Sequence, residues 1–219
     1  MEFQNNGKSI NKDVSIVVCT KNSANSIEEV LNSVRKNNPL EIILVDANSI
    51  DDTREIAKKY VTKILTDPGK GLAIARNLGL EQVKGKYTFF IGSDNVIGKN
   101  TLKRLIKYMK LHNYVGVAAL TRLKNRNANY LTQGLDLRWQ LRFYEGPREV
   151  IGTPYLYKTD VLRKFKFSPE MSWSDDSDLG ARMANNGVKV GYSNIICWEI
   201  GVDTWKSVYY RFKMYGKGD

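Results

Sequence analysis

Apolar runs alternate with amphipathic segments along the first half of the chain. The run Val14–Thr20 is apolar and rich in β-branched residues, which predicts a buried strand, and Ser26 and Glu29 stand at capping-box spacing at the start of a predicted helix. The same order then repeats, with strands predicted over 42–45, 63–65 and 87–91 and helices over 51–60 and 72–83. Strands that alternate with helices indicate a parallel sheet covered by helices.

The pattern continues in the second half but fails over residues 121–148. A helix is predicted over 101–111 and a strand over 115–120, followed further on by strands over 150–157 and 188–196, a helix over 176–186 and a basic helix at the C-terminus. The stretch 121–148 is polar and basic with interspersed aromatic residues, and we interpret it as a long irregular insertion. Because such insertions in compact domains are often functional, we expect this one to face a substrate.

Length and composition favour one globular domain. The chain has 219 residues, of which 42% are hydrophobic and 26% charged, so it is long enough for one sizeable core and is not of the disordered class. Cys19 and Cys197 stand inside apolar runs without the spacing of a metal site, and we expect both to be buried thiols.

The charge balance points to anionic partners. The 34 basic residues exceed the 23 acidic ones, which gives a formal charge of +11 and favours nucleic acids, anionic lipid headgroups or diphosphates without choosing among them. Near the C-terminus, basic residues are interleaved with aromatic ones over 205–217, as in segments that lie at a membrane surface. An ordinary amphipathic helix that packs its aromatic residues into the core explains this run equally well.

Candidate ligand-binding residues follow the predicted strands. Ligands of open parallel sheets collect beyond the carboxyl ends of the strands, and the side chains at these points are consistently polar. The chain has neither a G-x-G-x-x-G fingerprint nor a P-loop, which argues against a dinucleotide enzyme and a P-loop NTPase. The polar residues in question are Thr20, Asn22, Asp46, Ser49, Asp67, Lys70, Ser93, Asp94 and Asn95.

Five segments of the chain carry a resemblance to a known family. They are VSIVVCTKN (14–22), EIILVDANSIDDT (41–53), GKGLAIARNLGL (69–80), GKYTFFIGSDN (85–95) and WSDDSDLGARM (173–183). In this order they resemble the inverting GT-A glycosyltransferases of family two, which include polyprenyl-phosphate sugar transferases and polysaccharide synthases. The resemblance implies an α/β fold of the GT-A type, with a Rossmann-like, mixed and mostly parallel sheet flanked by helices in a single domain over 1–219. Residues 1–97 would form the nucleotide-sugar-binding half and 98–219 the acceptor-side half, with the basic C-terminal helix.

The resemblance implies a donor site at the loops. Thr20 and Asn22 would line the nucleoside pocket, Asp46 would accept hydrogen bonds from the base, and Ser49 would lie near the ribose. Asp46 and Ser49 are also good helix-capping residues, which is the structural alternative. The remaining donor-site residues expected here are Lys70, Arg76, Ser93 and Asp94, with the Arg76 guanidinium able to reach a diphosphate or a sugar hydroxyl.

The resemblance also implies a divalent cation, Mg²⁺ or Mn²⁺. Asp94 aligns with the last acidic residue of the family's D-x-D motif, whose oxygen ligands suit such a cation. Gly92 occupies the first acidic position, so the motif supplies one carboxylate. Relatives often place a histidine after the final strand as another ligand, and here Glu199 is the candidate substitute.

The acidic cluster near residue 175 is the candidate catalytic centre. By the resemblance, Asp176 is the base that takes the proton from an acceptor hydroxyl, and Asp175 orients the acceptor or supports Asp176. Trp173 would stack on the acceptor. Carboxylates in the first turn of a helix are also favoured by the helix dipole, which is the structural alternative.

These features together predict a hexosyltransferase. We expect it to move a hexose such as mannose or glucose from a GDP- or UDP-linked donor to a polyprenyl or dolichyl phosphate or a membrane-associated glycan. The expected location is the cytoplasmic face of the cell membrane, with a further anchoring segment as one possibility. A non-catalytic nucleotide-sugar-binding relative is one alternative. A basic nucleic-acid-binding domain is another, but the acidic loops would repel a phosphate backbone, so we expect no nucleic acid partner.

Overall fold

Four parallel strands from the first half of the chain form one side of a single sheet. The computed structural model of the chain describes residues 10–171, 174–201 and 204–215. The register pairs Thr20 with Asp46, Asp46 with Thr66 and Cys19 with Gly92, so the carboxyl ends of these strands are level. We call this end of the sheet the carboxyl edge. In spatial order the strands are β3 (Lys63–Thr66), β2 (Glu41–Asp46), β1 (Val14–Thr20) and β4 (Tyr87–Gly92).

The second half of the chain extends the same sheet with mixed polarity. Its strands are β5 (Asn95–Ile97), β6 (Gly116–Leu123), β7 (Gly146–Arg148), β8 (Tyr155–Lys158) and β9 (Val190–Glu199). Strand β8 runs antiparallel to both β4 and β6, and β6 runs parallel to β9. Strands β6 and β9 therefore also end at the carboxyl edge. The predicted α/β fold with a mixed sheet in one domain is confirmed.

Helices cover both faces of the sheet. Ile16 and Val18 of β1 belong to one buried apolar cluster and Val17 to another on the opposite face, because successive side chains of a strand alternate. Burial on both faces explains why β1 reads as a continuous apolar run. The helices are α1 (Ile27–Arg35), α2 (Thr53–Ala57), α3 (Leu72–Gln82), α4 (Thr101–Leu111), α5 (Tyr130–Arg142), α6 (Thr159–Phe165), α7 (Asp175–Ala184) and α8 (Trp205–Tyr215).

The interpretation of residues 121–148 as irregular is wrong, because helix α5 occupies much of this stretch. Asn129 and Thr132 form a capping box that starts the helix. Asp136, inside the helix, is buried and accepts hydrogen bonds from Arg122 Nε at 3.1 Å and from the Leu123 amide at 2.9 Å. The inward face of α5 thus includes polar residues that are satisfied by tertiary contacts, so apolar periodicity does not reveal the helix.

Two predicted helix starts also differ from the structure. Ser26 does not cap α1 with its side chain; its hydroxyl instead donates to the Ser93 carbonyl oxygen at 2.8 Å. Helix α2 begins at Thr53 rather than at 51, because the Asp51 carboxylate accepts hydrogen bonds from Thr53 and from the Ala24 amide. At Ser26 a contact between loops replaces local helix capping, whereas the Asp51 carboxylate binds both the first residue of α2 and the loop after β1.

The remaining boundaries agree to within a few residues, except that the strand predicted over 150–157 is shortened to β8 and follows a cis Thr153–Pro154 bond. Cys197 is a buried thiol of β9, as expected, whereas Cys19, near the end of β1, is a thiol that is only partly buried. Burial raises the pKa of the Cys19 thiol to about 12, which keeps it protonated at neutral pH. Over the described ranges, no helix is both long enough and apolar enough to cross a bilayer.

Candidate active site

A hydroxyl at the carboxyl edge ties the first two loops together. Ser49 Oγ donates to Asp46 Oδ1 at 2.5 Å and accepts a hydrogen bond from the Asn22 amide at 2.8 Å. Asn22, which has a φ of 49°, accepts a hydrogen bond on Oδ1 from the Ile50 amide at 2.9 Å. The loops that follow β1 and β2 are therefore fixed to each other, and two predicted donor-site residues lie side by side.

Asp46 holds its own loop. The residue is fully buried, and its Oδ2 accepts hydrogen bonds from the Ser49 amide and from Arg54 Nη1, both at 3.1 Å. A direct hydrogen bond from Asp46 to a nucleoside base stays a prediction. Thr20 lies beside Asp46 in the register, and its buried Oγ1 has no hydrogen-bond partner within the described part of the chain. A buried hydroxyl left in this state is a candidate ligand contact.

The loop after β4 joins the same group. Ser93 Oγ lies 2.9 Å from Ser23 Oγ, which belongs to the loop after β1. Asp94 follows and is half-buried. A Cβ atom at Gly92 would lie 2.7 Å from Asp94 Oδ1 and 2.8 Å from Asn95 Oδ1. The space of the missing first carboxylate is therefore filled by the side chains of the next turn.

Asp94 and Glu199 are the candidate ligands of a divalent cation. Residue Glu199 pairs with Asn95 between β9 and β5. The Ile200 amide donates to the Asp94 carbonyl oxygen at 2.7 Å, so Asp94 lies beside the end of β9. Burial and, to a smaller extent, the charges of Glu199 and Asp94 raise the pKa of the Cys197 thiol. Where side chains are described, no group of three or more His, Cys, Asp or Glu residues gathers as a metal site. These residues fit a cation that the donor's phosphates also coordinate, as Mg²⁺ commonly is, and Glu199 as a ligand stays a prediction.

The acidic pair of α7 binds one buried arginine. Arg76 Nη1 donates to Asp175 Oδ2 at 2.5 Å and to Asp176 Oδ1 at 2.8 Å, and Nη2 donates to Thr153 Oγ1 at 2.8 Å. The Arg76 side chain is only 7% exposed. It is therefore not a solvated residue, and its observed partners are the two carboxylates. Contact between Arg76 and the donor stays a prediction.

The two carboxylates of this pair differ in exposure. The side chain of Asp175 is 3% exposed and that of Asp176 is 24% exposed, so Asp176 is the one that a substrate can reach. Burial raises the pKa of Asp176 above the ordinary aspartate value, while Arg76 and a 3.0 Å hydrogen bond from the Tyr155 hydroxyl oppose this increase. Burial alone would lower the pKa of Arg76, but Asp176, Tyr155 and Asp175 raise it, so the guanidinium stays charged.

The arginine cluster lies beside the end of β1. Burial has the largest effect on the pKa of the Cys19 thiol. The charge of Arg76 lowers this pKa and the charges of Asp67 and Asp175 raise it, because these groups are near the last residues of β1. Asp67 follows β3 and accepts a hydrogen bond from the Gly69 amide at 3.0 Å. The acidic and polar loops after β1, β2, β3 and β4 and the start of α7 thus meet at the carboxyl edge.

Other predicted residues have separate positions. Lys70 is exposed between Gly69 and Gly71, whose φ angles are 75° and 112°, directly before α3. Asp178 forms an ion pair at 2.7 Å with Arg182 of the same helix, so it stabilises α7 and does not take part in the cluster of Asp175 and Asp176. Trp173 lies outside the described residues. A cavity of about 630 Å³ lined by Lys86, Lys158 and neighbours opens at the opposite end of the sheet and contains none of the predicted site residues.

Several site residues are missed by reasoning from the sequence. Arg54, Thr153 and Tyr155 all bind predicted site carboxylates or Arg76, and Ser23 links two loops. Arg54 stands eight positions after Asp46, and Tyr155 stands within a strand. Neither residue type is unusual at its position. Their roles depend on contacts across the sheet, so local sequence carries no signal for them.

Solved structures of glycosyltransferases share this fold. A mannosyltransferase from Pyrobaculum calidifontis, solved with GDP-Man and Mn²⁺, superposes with a TM-score of 0.72 at 20% identity, covering 92% of this chain and 60% of the other. Residues 1–349 of TarS from S. aureus, solved with UDP-GlcNAc, superpose with a TM-score of 0.67 at 21% identity, covering 89% and 60%. At these identities the likeness establishes the GT-A fold.

Sequence relatives and a family model identify the family. The chain is 32% identical over 132 residues to the poly(ribitol-phosphate) β-N-acetylglucosaminyltransferase TarS of Staphylococcus aureus, covering 55% of this chain and 22% of TarS. It is 31% identical over 104 residues to the putative teichuronic acid biosynthesis glycosyltransferase TuaG of Bacillus subtilis, covering 44% and 41%. The chain thus spans about a fifth and two fifths of these relatives. The model of glycosyl transferase family 2 matches residues 15–170, which is more than half of the chain, and the protein belongs to this family.

Proposed function

We propose that this chain is the catalytic domain of an inverting hexosyltransferase. It takes the sugar from a GDP- or UDP-linked donor and transfers it to a polyprenyl or dolichyl phosphate or to a membrane-associated glycan, at the cytoplasmic face of the membrane. The observation that carries the proposal is the Arg76–Asp175–Asp176 cluster at the same carboxyl edge as the four loops. Family membership and the nucleotide sugars bound by the structural neighbours support the donor class.

Asp176 is the proposed base. Both described hydrogen bonds to its carboxylate, from Arg76 and Tyr155, are accepted by Oδ1, so we assign proton transfer to Oδ2. The acceptor hydroxyl attacks the anomeric carbon from the face opposite the leaving diphosphate and gives its proton to Oδ2. Arg76 keeps the carboxylate ionised and oriented. With a lipid phosphate as acceptor, already ionised, Asp176 would instead position a metal ion or the acceptor.

The donor is held at the loops in this proposal. Thr20, whose buried hydroxyl has no hydrogen-bond partner among the described residues, would contact the nucleoside. Lys70 is exposed just before α3, where its charge can approach the diphosphate. Asp94, with Glu199 as a second candidate, would hold Mg²⁺ or Mn²⁺. When bound, such a cation neutralises charge on the leaving diphosphate.

The test begins with donor binding. Calorimetry with a panel of UDP- and GDP-linked hexoses, with and without Mn²⁺, should identify a donor that binds. Asp94→Ala should weaken that binding, and excess Mn²⁺ should not restore it. If no donor binds, the proposed function is wrong, and strongly salt-dependent oligonucleotide binding in the same preparation would favour the nucleic-acid alternative.

Catalysis is tested separately with Asp176→Asn. This variant should bind the donor as the parent does and lose transfer by roughly 100-fold or more, the usual contribution of a general base. The matched control is Asp160→Asn, since Asp160 is an exposed aspartate in the first turn of α6 and lies by the cavity at the opposite end of the sheet. Donor binding without any transfer by the parent would instead support the non-catalytic relative.

A further inference from the structure

Helices α5 and α8 leave apolar side chains exposed along one side of each. On α5, Tyr130, Leu137 and Leu141 recur at helical spacing, and Leu137 and Leu141 are 55% and 74% exposed. On α8, Trp205 and Tyr209 are one turn apart and are 77% and 62% exposed. Exposed apolar stripes of this kind indicate an interaction surface.

The two stripes belong to one surface. Val208 of α8 is buried against Leu123 at the end of β6, where Leu131 and Leu135 of α5 also pack, so the helices share a small core. On the outside, the Arg138 guanidinium lies 4.6 Å from the centre of the Phe212 ring, which joins α5 to α8. We call this surface, made of the outward faces of α5 and α8, the α5–α8 face.

The charge on the α5–α8 face has one sign. Its described basic residues are Arg138, Arg142, Lys206 and Lys213, all exposed. Helix α8 contains no Asp or Glu, and the single acidic residue of α5, Asp136, is buried and paired with Arg122. Apart from Gln133, Gly134 and Gln140 of α5, the described exposed residues of both helices are aromatic, aliphatic or basic. This composition suits the interface between anionic headgroups and acyl chains.

The position of the α5–α8 face relates it to the candidate active site. Helix α5 follows β6 and helix α8 follows β9, and both strands end at the carboxyl edge. The two helices therefore begin at the end of the sheet where the acidic pair and the donor loops lie. A bilayer that contacts the start of either helix is therefore near the carboxyl edge of the sheet.

We infer that the α5–α8 face docks on an anionic membrane surface. This inference rests on the proposed function, because docking brings a membrane-bound acceptor to the site. Aromatic and aliphatic side chains enter the headgroup region and the basic residues contact lipid phosphates. Leu141 and Trp205 contribute apolar anchoring, and Arg142 and Lys206 contribute electrostatic attraction. Neither helix crosses the bilayer in this arrangement.

Vesicle co-sedimentation tests the inference. The chain should bind vesicles of phosphatidylcholine with about one third phosphatidylglycerol, bind pure phosphatidylcholine far less, and dissociate with added salt. Each basic residue near an anionic surface strengthens binding roughly fivefold, so Arg142→Gln with Lys206→Gln should weaken it about 25-fold. The matched control is Lys103→Gln with Lys107→Gln on the exposed side of α4, which should leave binding unchanged.

The apolar part has its own control. Leu141→Ser with Trp205→Ser should weaken vesicle binding by about tenfold or more, whereas Leu111→Ser should not, although Leu111 is 76% exposed on α4. Equal effects of these two changes, or no binding to anionic vesicles, would overturn the inference. So would sedimentation of the chain as a dimer that the Leu141 and Trp205 changes dissociate, since a second copy would then cover the face.

Donor calorimetry on the same preparations separates this inference from the proposed function. Vesicle binding with the expected response to the variants, but without donor binding, would retain the docking face and reject the transferase. Donor binding without vesicle binding would retain the transferase and reject the docking face. The variants on α5 and α8 lie outside the donor loops, so they should bind the donor as the parent does.

Discussion

Replacing Arg76 by glutamine should destabilise the fold strongly. The guanidinium is buried and is the shared donor to Asp175 and Asp176, at 2.5 and 2.8 Å. Its loss leaves one almost fully buried carboxylate and one partly buried carboxylate without their cation. Breaking a buried ion pair on one side typically destabilises a protein by about 3–5 kcal/mol. At about 2–4 °C per kcal/mol for a chain of this size, the melting temperature should fall by roughly 6–20 °C.

The effect of Arg76→Gln should also depend on pH. Arg76 lowers the pKa of Asp176, so its removal raises the folded-state pKa further above the unfolded value of about 3.9. A carboxyl group with a raised folded-state pKa favours the fold fully below its unfolded pKa and loses this contribution as the pH rises through the folded pKa. The stability deficit of the variant should therefore be largest near pH 8 and shrink toward pH 4.

Urea unfolding followed by tryptophan fluorescence at both pH values measures this deficit. Arg104→Gln is the control, because Arg104 is exposed on α4, and it should cost no more than about 0.5 kcal/mol. The double change Arg76→Gln with Asp175→Asn should recover part of the lost stability, since it removes one stranded charge. A deficit for Arg76→Gln below about 1 kcal/mol, or one that does not change with pH, would refute the reasoning.

Three further predictions concern the site. Tyr155→Phe removes a hydrogen bond that lowers the pKa of Asp176, so the acidic limb of kcat/KM against pH should move to higher pH; an unmoved or lowered limb contradicts this. Gly92→Asp places a Cβ atom 2.8 Å from Oδ1 of Asn95, which is buried and accepts a hydrogen bond from the residue 92 amide, so thermal unfolding should show a loss of about 1–3 kcal/mol; unchanged stability with tighter Mn²⁺-dependent donor binding would contradict the steric argument. Ser49→Ala leaves an oxygen of buried Asp46 without its donor and should destabilise the chain by about 1–3 kcal/mol in urea unfolding, whereas a neutral effect would show that the loop is not held in this way.

The fold was predictable from the sequence wherever apolar pattern decides structure. Strand β1 and helix α4 coincide with their predicted ranges because β1 is buried on both faces and α4 presents one apolar face to the core. Helix α5 was not predictable in this way. Its inward face includes Asp136, whose burial is made possible by Arg122 on a different element, and a pattern of apolar residues does not encode such a pair.

The site was predictable in its residue types and less so in their partners. The rule that ligands collect at the carboxyl ends of parallel strands singles out Asp46, Ser49 and Asp94, and these do lie at one edge. The sequence does not reveal that Arg76 binds Asp175, since 99 positions separate the two residues along the chain. Long-range ion pairs of this kind depend on the folded arrangement in which α6 packs against both α3 and α7.

The polar residues at the carboxyl edge divide into those that hold the loops and those that remain for a ligand. Asp46 and Ser49 bind each other and, through Asn22, the neighbouring loop, so their hydrogen-bonding capacity is largely used within the protein. Thr20 Oγ1, by contrast, is buried and unsatisfied within the described part of the chain. A site whose loops are fixed before the donor arrives loses less conformational freedom on binding. Changes to the loop-holding residues should therefore act mainly on donor affinity, whereas changes at Asp176 should act on the rate of transfer.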